Sequence, residues 1–354
     1  MIRYATLPDK TPISLATLRA AVEADATSHP DAGVRKAVKD WLDKSDLRTA
    51  QLLSAKSYTD LKKWEKLPAA RKAVTPKPIA VDWSDVKYLF MSIQNDKCAY
   101  CERKLASQGD GGAAEHDLEH FRTKNPVKAW SAPKEIDFPT GGAIADGYYW
   151  LAFHLLNYCT ACKKCNSGFK SNFFPIGGKS CKAPDEPSPA LLSSERPFLI
   201  YPLGDLDEDP EDLVRFRGLV AFPPAGDPLL KGKARTDAHR NRRARVVIAF
   251  FDLNHREELL WGRAERLRNL EKALTLINTG SQAERRHAED DLRRMTNGFS
   301  EHTACIRAMI RLYQNDLKTA RKLFQTVRKY LDSKTPKDYS VHMGRFEPKK
   351  YPKS

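Results

Sequence analysis

Two pairs of cysteines carry the clearest chemistry in the chain. Cys98-Ala-Tyr-Cys101 and Cys162-Lys-Lys-Cys165 are C-x2-C knuckles with sixty residues between them. Such a pair supplies four thiolates, the donor set of one tetrahedral Zn2+ in a closed structural site. The interval exceeds that of a compact zinc ribbon, so a segment must loop out between the knuckles. Buried free cysteines are the alternative, since a reduced cysteine packs as a small apolar residue. The polar residues flanking both pairs argue against that. Cys159 lies three residues before Cys162 and offers a different second knuckle, but Cys165 is followed directly by Asn166 and is the better anchor. Cys159 is then a packed side chain, and the isolated Cys181 and Cys305 are read the same way.

Between the knuckles runs Asp117-Leu-Glu-His-Phe-Arg-Thr-Lys124, and beyond it come Asn157, Asn166 and Lys170. A Glu-His pair followed by cations places an oxygen ligand, a proton acceptor and phosphate-binding charge in one short stretch. Each residue also has a plain reading. A histidine can be structural, Glu119 a surface acid, Asn166 the cap of a following helix, and Arg122, Lys124 and Lys170 solvated charges. His116 rivals His120 because it too follows a glutamate, Glu115. In a helix the two histidines would share a face.

The segments CAYCERKL, DLEHFRTKN, YYWLAFHLLNYCTACKKCN and FKSNFFPI resemble HNH endonucleases of the ββα-metal fold in which cysteine pairs bracket the active site. The text is closer still to the HNH proteins of Septu-type and retron-associated antiphage systems. The resemblance covers about residues 84–176, continues loosely through PFLIYPLGD and RARVVIAFFDLNHREEL, and is absent from the first 75 residues. It implies that His120 is the general base and that Glu119 and Asn166 hold a catalytic Mg2+ or Mn2+. Asn157 would orient the histidine loop through backbone hydrogen bonds, and Arg122, Lys124 and Lys170 would contact phosphates. HFRTK matches the family continuation, whereas the residues after His116 do not. Thr123 stands where relatives carry proline, a departure that costs loop rigidity. The function implied is hydrolysis of phosphodiester bonds in DNA within antiphage defence, beside a partner ATPase of the ABC/SMC-like kind. No G-x4-G-K-[ST] motif occurs in this chain, so that ATPase would be another polypeptide. Two alternatives stand: an RNA (tRNA) endonuclease of the same fold, and a non-catalytic zinc module that binds nucleic acid or acts as an adaptor.

These residues need elements to position them. The 354-residue chain is 41% hydrophobic and 30% charged, a globular balance, and its net charge of +15 favours a polyanionic partner. No apolar run approaches the ~18–20 residues of a membrane span and no secretory leader is evident, so a cytoplasmic location is expected. Residues 1–75 read as helices, with Ser14 as one cap, and two prolines break the pattern over Thr75–Ile79. Ser84 is expected to cap a helix carrying Val86, Leu89, Phe90 and Ile93. Residues 98–176 are loop-rich and too poor in apolar residues to fold without a staple. A strand is expected at Phe198–Tyr201, a solvated acidic turn away from the cleft at Asp205–Asp212, and strand-like pieces over Val214–Phe222. His239–Arg245 opens a helix as a basic run suited to phosphate, to solvent or to a partner. Helices follow from Thr236 to about Leu331, broken near Thr279–Gly280. The expected fold is α+β: a mainly helical chain with an embedded zinc-stapled ββα-metal module. The expected units are 1–75, 84–176 and 198–334, with a basic tail at 335–354.

Overall fold

In the computed structural model, residues 1–75, 77–105, 116–180, 188–227 and 229–333 are described. Helix α1 (Leu15–Ser28) opens with a reciprocal capping box between Ser14 and Thr17. Helix α2 (Ala32–Ala55) is capped by Asp31, whose carboxylate accepts from the amides of Gly33 and Val34, and it ends at Lys56 in the left-handed conformation. The two helices form an antiparallel pair that buries Leu18 and Val22 with Val34, Val38 and Trp41. Two short helices, α3 (Tyr58–Lys62) and α4 (Ala69–Val74), complete the N-terminal region.

The next cap is Asp82 rather than Ser84: its carboxylate accepts from the Ser84 amide and starts a 3-10 turn, Trp83–Val86. Ser84 is thereby moved inside the turn. Helix α5 (Lys87–Ile93) continues from it and buries Leu89, Phe90, Met91 and Ile93. Strand β1 (His116–His120) pairs antiparallel with β2 (Tyr158–Cys162), with His116 opposite Cys162 and His120 opposite Tyr158. Gln94, at the end of α5, bonds both the amide and the carbonyl of Thr160 at 2.7 and 3.0 Å, which fixes β2 against that helix. A short wide-turned helix, Lys164–Lys170, leaves β2 directly.

The segment Phe198–Tyr201 is not a strand. All four side chains are buried, but its neighbours form only isolated bridges, Ile176 with Pro197 and Tyr4 with Leu203. Pro197 and Pro202 flank it, and each lacks the amide that a ladder needs.

Helix α6 (Pro210–Leu213) leads into a hairpin of β3 (Arg215–Arg217) and β4 (Val220–Phe222). After α7 (Gly232–Thr236) come α8 (Ala238–Phe250), α9 (Glu257–Thr279), α10 (Gln282–Thr296), α11 (Thr303–Asn315) and α12 (Leu317–Asp332). Gly280 ends α9, as the sequence implied. One buried cluster joins α1, α2, α5, both strands and α8, and a second joins the hairpin to α9–α12. The helices before residue 75 thus share their core with the cysteine-bearing segment.

The acidic turn corrects two expectations together. Asp207 and Glu208 pair with Arg243 at 2.6 and 3.3 Å, Glu208 also pairs with Arg240 at 2.7 Å, and Glu211 holds Arg307 and Arg311. The turn is therefore a counter-charge for Arg240 and Arg243 of the basic run at the start of α8, while Arg245 of that run pairs with Asp137 at 2.9 Å. The fold is α+β and mainly helical. Among the described residues no helix is long and apolar enough to cross a membrane.

Candidate metal and catalytic sites

Cys98 and Cys101 lie in the turn after α5, while Cys162 ends β2 and Cys165 belongs to the first turn of the helix that follows. Their four Sγ atoms lie within 4.8 Å of one another, and all four residues are buried. The Cys101–Cys162 Sγ separation is 3.9 Å, too long for a disulfide. It is close to the ~3.8 Å edge that a tetrahedron with Zn–S of ~2.3 Å requires. This donor set fits zinc. Arg256, just before α9, donates to Cys165 Sγ at 3.1 Å and to Glu258 at 2.9 Å, bringing positive charge against a thiolate group. Cys159 stands apart, with its Sγ 3.7 Å from the Tyr100 hydroxyl, and burial pushes its thiol well above the usual range. Cys305 is packed and donates to the Gly218 carbonyl at 3.2 Å. Cys181 lies outside the described residues.

Strand β1 lines a cleft of about 490 Å³, whose other walls include Trp83, Lys124 and Asn166, with Asp117, Glu119 and His120 contributed by the strand. His120 is buried, and its Nε2 lies 2.9 Å from the Ala152 carbonyl oxygen. A carbonyl only accepts, so Nε2 carries the proton and Nδ1 presents a lone pair. Trp83 and Tyr158 hold the ring edge-on at centroid distances of 5.4 and 5.2 Å. Burial, then the Lys124 charge, drives the imidazole well below its ordinary pKa, so it is neutral. Lys124 Nζ lies 3.2 Å from Nδ1 and packs over the rings of Trp83 and Tyr58 at 3.9 and 5.2 Å. Burial lowers this lysine to about 8.

His116 belongs to a strand and not to a helix, so it sits four residues away, roughly 13 Å along β1 at the usual rise. It lines the far part of the same cleft.

Asn157 is fully buried and clasps the chain that follows His120. Its Oδ1 accepts from the Arg122 amide at 2.8 Å, while Nδ2 donates to the Arg122 and Leu151 carbonyls at 3.0 and 3.2 Å. Its own carbonyl accepts from the Phe121 amide at 2.8 Å. The side chain therefore reproduces the ladder bonds that β1 loses where it ends.

Glu119 reaches the cleft from β1 and pairs with the buried Lys170 at 2.5 Å. Burial raises the carboxyl's pKa against the opposing pull of that ammonium. Lys170 also donates to the His120 carbonyl at 2.9 Å. It is an internal partner of the strand and not a free phosphate contact, because a buried ammonium needs a counter-charge. Arg122 departs further from expectation. Its guanidinium is buried, pairs with Glu195 at 3.0 Å and lies 5.3 Å from the Phe174 ring, while Tyr148 donates to the same carboxylate at 2.7 Å. It borders a separate cleft of about 460 Å³ and not the one that contains His120. Of the three expected phosphate contacts, Lys124 is the one whose ammonium lies beside the His120 ring.

Asn166 does line the cleft that contains His120, and its Nδ2 donates to Asp117 Oδ2 at 2.8 Å. In the sequence Asp117 stands only as the start of the motif. Its position two residues before Glu119, and so on the same face of a strand, was the available signal. Glu195 and Arg256 left no local signal, since each acts on a residue more than seventy positions away in sequence.

Thr123 is held through both its side chain and its backbone. Its hydroxyl lies 3.1 Å from Asn172 Oδ1, and its carbonyl accepts from the Tyr148 amide at 2.9 Å. Gly147, at φ +62°, lets the chain pass close by, since a Cβ there would lie 2.0 Å from the Asn125 carbonyl oxygen.

No family model matches the chain, and no solved structure matches it. Over 166 residues it is 29% identical to the Septu protein PtuB of Bacillus mycoides (strain KBAB4), an overlap of 45% of this chain. The overlap is 50% of that protein, so the chain spans about half the length of the curated relative it matches.

Proposed function

We propose that the chain is a metal-dependent HNH endonuclease that hydrolyses phosphodiester bonds in DNA, acting in Septu-type antiphage defence. The observation that carries the reading is the neutral His120, whose proton is fixed on Nε2 by the Ala152 carbonyl and whose Nδ1 is directed at the cleft beside Lys124. A buried base held by a clamped loop, next to oxygen donors and a cation, is the apparatus for activating water at phosphorus. The similarity to PtuB supports the defence setting.

In this reading a phosphodiester enters over Lys124, whose ammonium leaves Nδ1 for a phosphate oxygen and so frees the lone pair. Nδ1 then takes the proton of the attacking water, and the Ala152 carbonyl stabilises the imidazolium that forms. Glu119 and Asn166 offer hard oxygen atoms that fit Mg2+ or Mn2+. Such an ion supplies stabilisation of the negative charge that develops on the leaving 3′-oxygen. Asn157 keeps the histidine loop in place, and zinc on Cys98, Cys101, Cys162 and Cys165 holds the two sides of the module together. By the resemblance, a partner ABC/SMC-like ATPase works beside it.

The test is cleavage of plasmid DNA and of total tRNA by the wild type and His120→Ala, with Mg2+ or Mn2+ and with EDTA, alone and with the partner ATPase. DNA cutting that requires both the ion and His120 supports the proposal. Cutting confined to tRNA moves the substrate to RNA, and metal-dependent cutting that survives in His120→Ala removes the assigned base.

A further inference from the structure

The catalytic reading leaves Asp117 without a task, although it projects from β1 into the same cleft and is held there by two neighbours. Lys163 Nζ meets its Oδ1 at 2.5 Å, and Asn166 Nδ2 meets its Oδ2 at 2.8 Å. Both neighbours come from one helical turn, directly after Cys162 and on either side of Cys165. A carboxylate has no proton to donate, so the amide can present only its NH2 group to Asp117. That contact settles which end of Asn166 is which and leaves Oδ1 as the end available for a cation.

We propose that Asp117 is a positioning residue: it accepts from Asn166 Nδ2 and thereby orients Asn166 Oδ1 as a ligand for the divalent ion. This rests on the nuclease reading above. Glu119 and Asn166 come from different elements, a strand and the helix after the zinc knuckle. A bond from β1 to that helix sets their separation, and outer partners of this kind are worth about 10–100-fold in metal affinity. Lys163 anchors the far oxygen of Asp117, so the carboxylate cannot rotate away from the amide. The three side chains form a relay from the rim of the cleft to the ligand, Lys163 to Asp117 to Asn166.

The experiment is Mn2+ binding to the zinc-loaded full-length protein, followed by the electron paramagnetic resonance signal of free Mn2+. The variants are Asp117→Asn, Asn166→Ala, the double variant and Glu119→Gln, each with its melting temperature. An asparagine at 117 keeps the shape but no longer dictates the orientation of Asn166. Asp117→Asn is expected to weaken Mn2+ about tenfold with little change in melting. In the Asn166→Ala background the same change should cost nothing further, because its effect passes through Asn166. Additive losses would make Asp117 an independent contributor and overturn the proposal. Unchanged affinity in Asp117→Asn, with binding lost in Glu119→Gln, would overturn it while leaving the nuclease reading intact. A wild type that binds no Mn2+ beyond its zinc would remove both.

Discussion

His120 and Arg122 are two residues apart, yet their surroundings assign them opposite tasks. The first is a buried neutral imidazole with one nitrogen engaged by a carbonyl and the other beside Lys124. On the mechanism proposed above, replacing it with alanine removes a general base, usually worth about 10²–10⁴ in rate. Cleavage by His120→Ala should therefore fall by at least about a hundredfold, measured at a temperature well below the melting points of both proteins because truncating this buried ring also lowers stability. Arg122 instead completes a buried ion pair with Glu195. Removing one member of such a pair costs about 3–5 kcal/mol, since the other is left uncompensated. Arg122→Ala is expected to lower the denaturation midpoint sharply. The salt dependence of nucleic-acid binding should keep its slope, because no phosphate contact is lost. A stable Arg122→Ala with a shallower slope would return this residue to the phosphate-binding set.

At the scale of elements, the cysteine knuckles do more than close a loop. Cys162 and Cys165 bracket the start of the helix that carries Asn166, and Cys98 and Cys101 tie that start to the end of α5. Cys162→Ser, or removal of zinc by a chelator, should therefore melt the module and abolish activity with it, since metal binding is folding energy in a site of this kind. The readout is zinc content alongside thermal unfolding; a full melting temperature without zinc would contradict the assignment.

The cysteine pattern, the Glu-His pair and the cap at Ser14 were readable because each depends on residues within a turn or two of one another. The strand expected at Phe198–Tyr201 is replaced by irregular chain for a reason that a local pattern does not carry. Four apolar residues describe burial equally well in a strand and in an irregular segment, and the flanking prolines decided it. The burial of Arg122 and Lys170 was equally hidden, because Glu195 and Glu119 approach them through the fold.

For the molecule as a whole, the +15 is what remains after 45 acidic residues offset 60 lysines and arginines, and part of that offset is made by direct pairing. Arg240, Arg243, Arg307 and Arg311 are answered by Glu208, Asp207 and Glu211. Histidines with lowered pKa values, His120 among them, also set an acid limit. Burial lowers His302 to about 3 and His154 to about 4 from an ordinary value near 6.5. Because the folded values lie below the unfolded one, the unfolded chain takes up protons first as pH falls. Stability is then full above about pH 6.5 and declines toward the folded values, by about 1.4 kcal/mol per pH unit for each histidine. The urea midpoint should be flat above neutrality and fall between about pH 6.5 and 5. His302→Asn, which tolerates the left-handed backbone at φ 54°, should make that fall shallower. An unchanged slope would place the acid sensitivity elsewhere.

The reading of this protein as a nuclease that acts in defence is put at risk most directly inside cells. Phage plaquing efficiency should be compared between cells expressing the wild type and cells expressing His120→Ala, each with its partner ATPase and at matched protein levels. Loss of protection in the variant, with intact phage or host DNA where the wild type leaves breaks, is the result expected. Equal protection by both would contradict catalysis at His120 and leave a zinc-dependent binding module in its place.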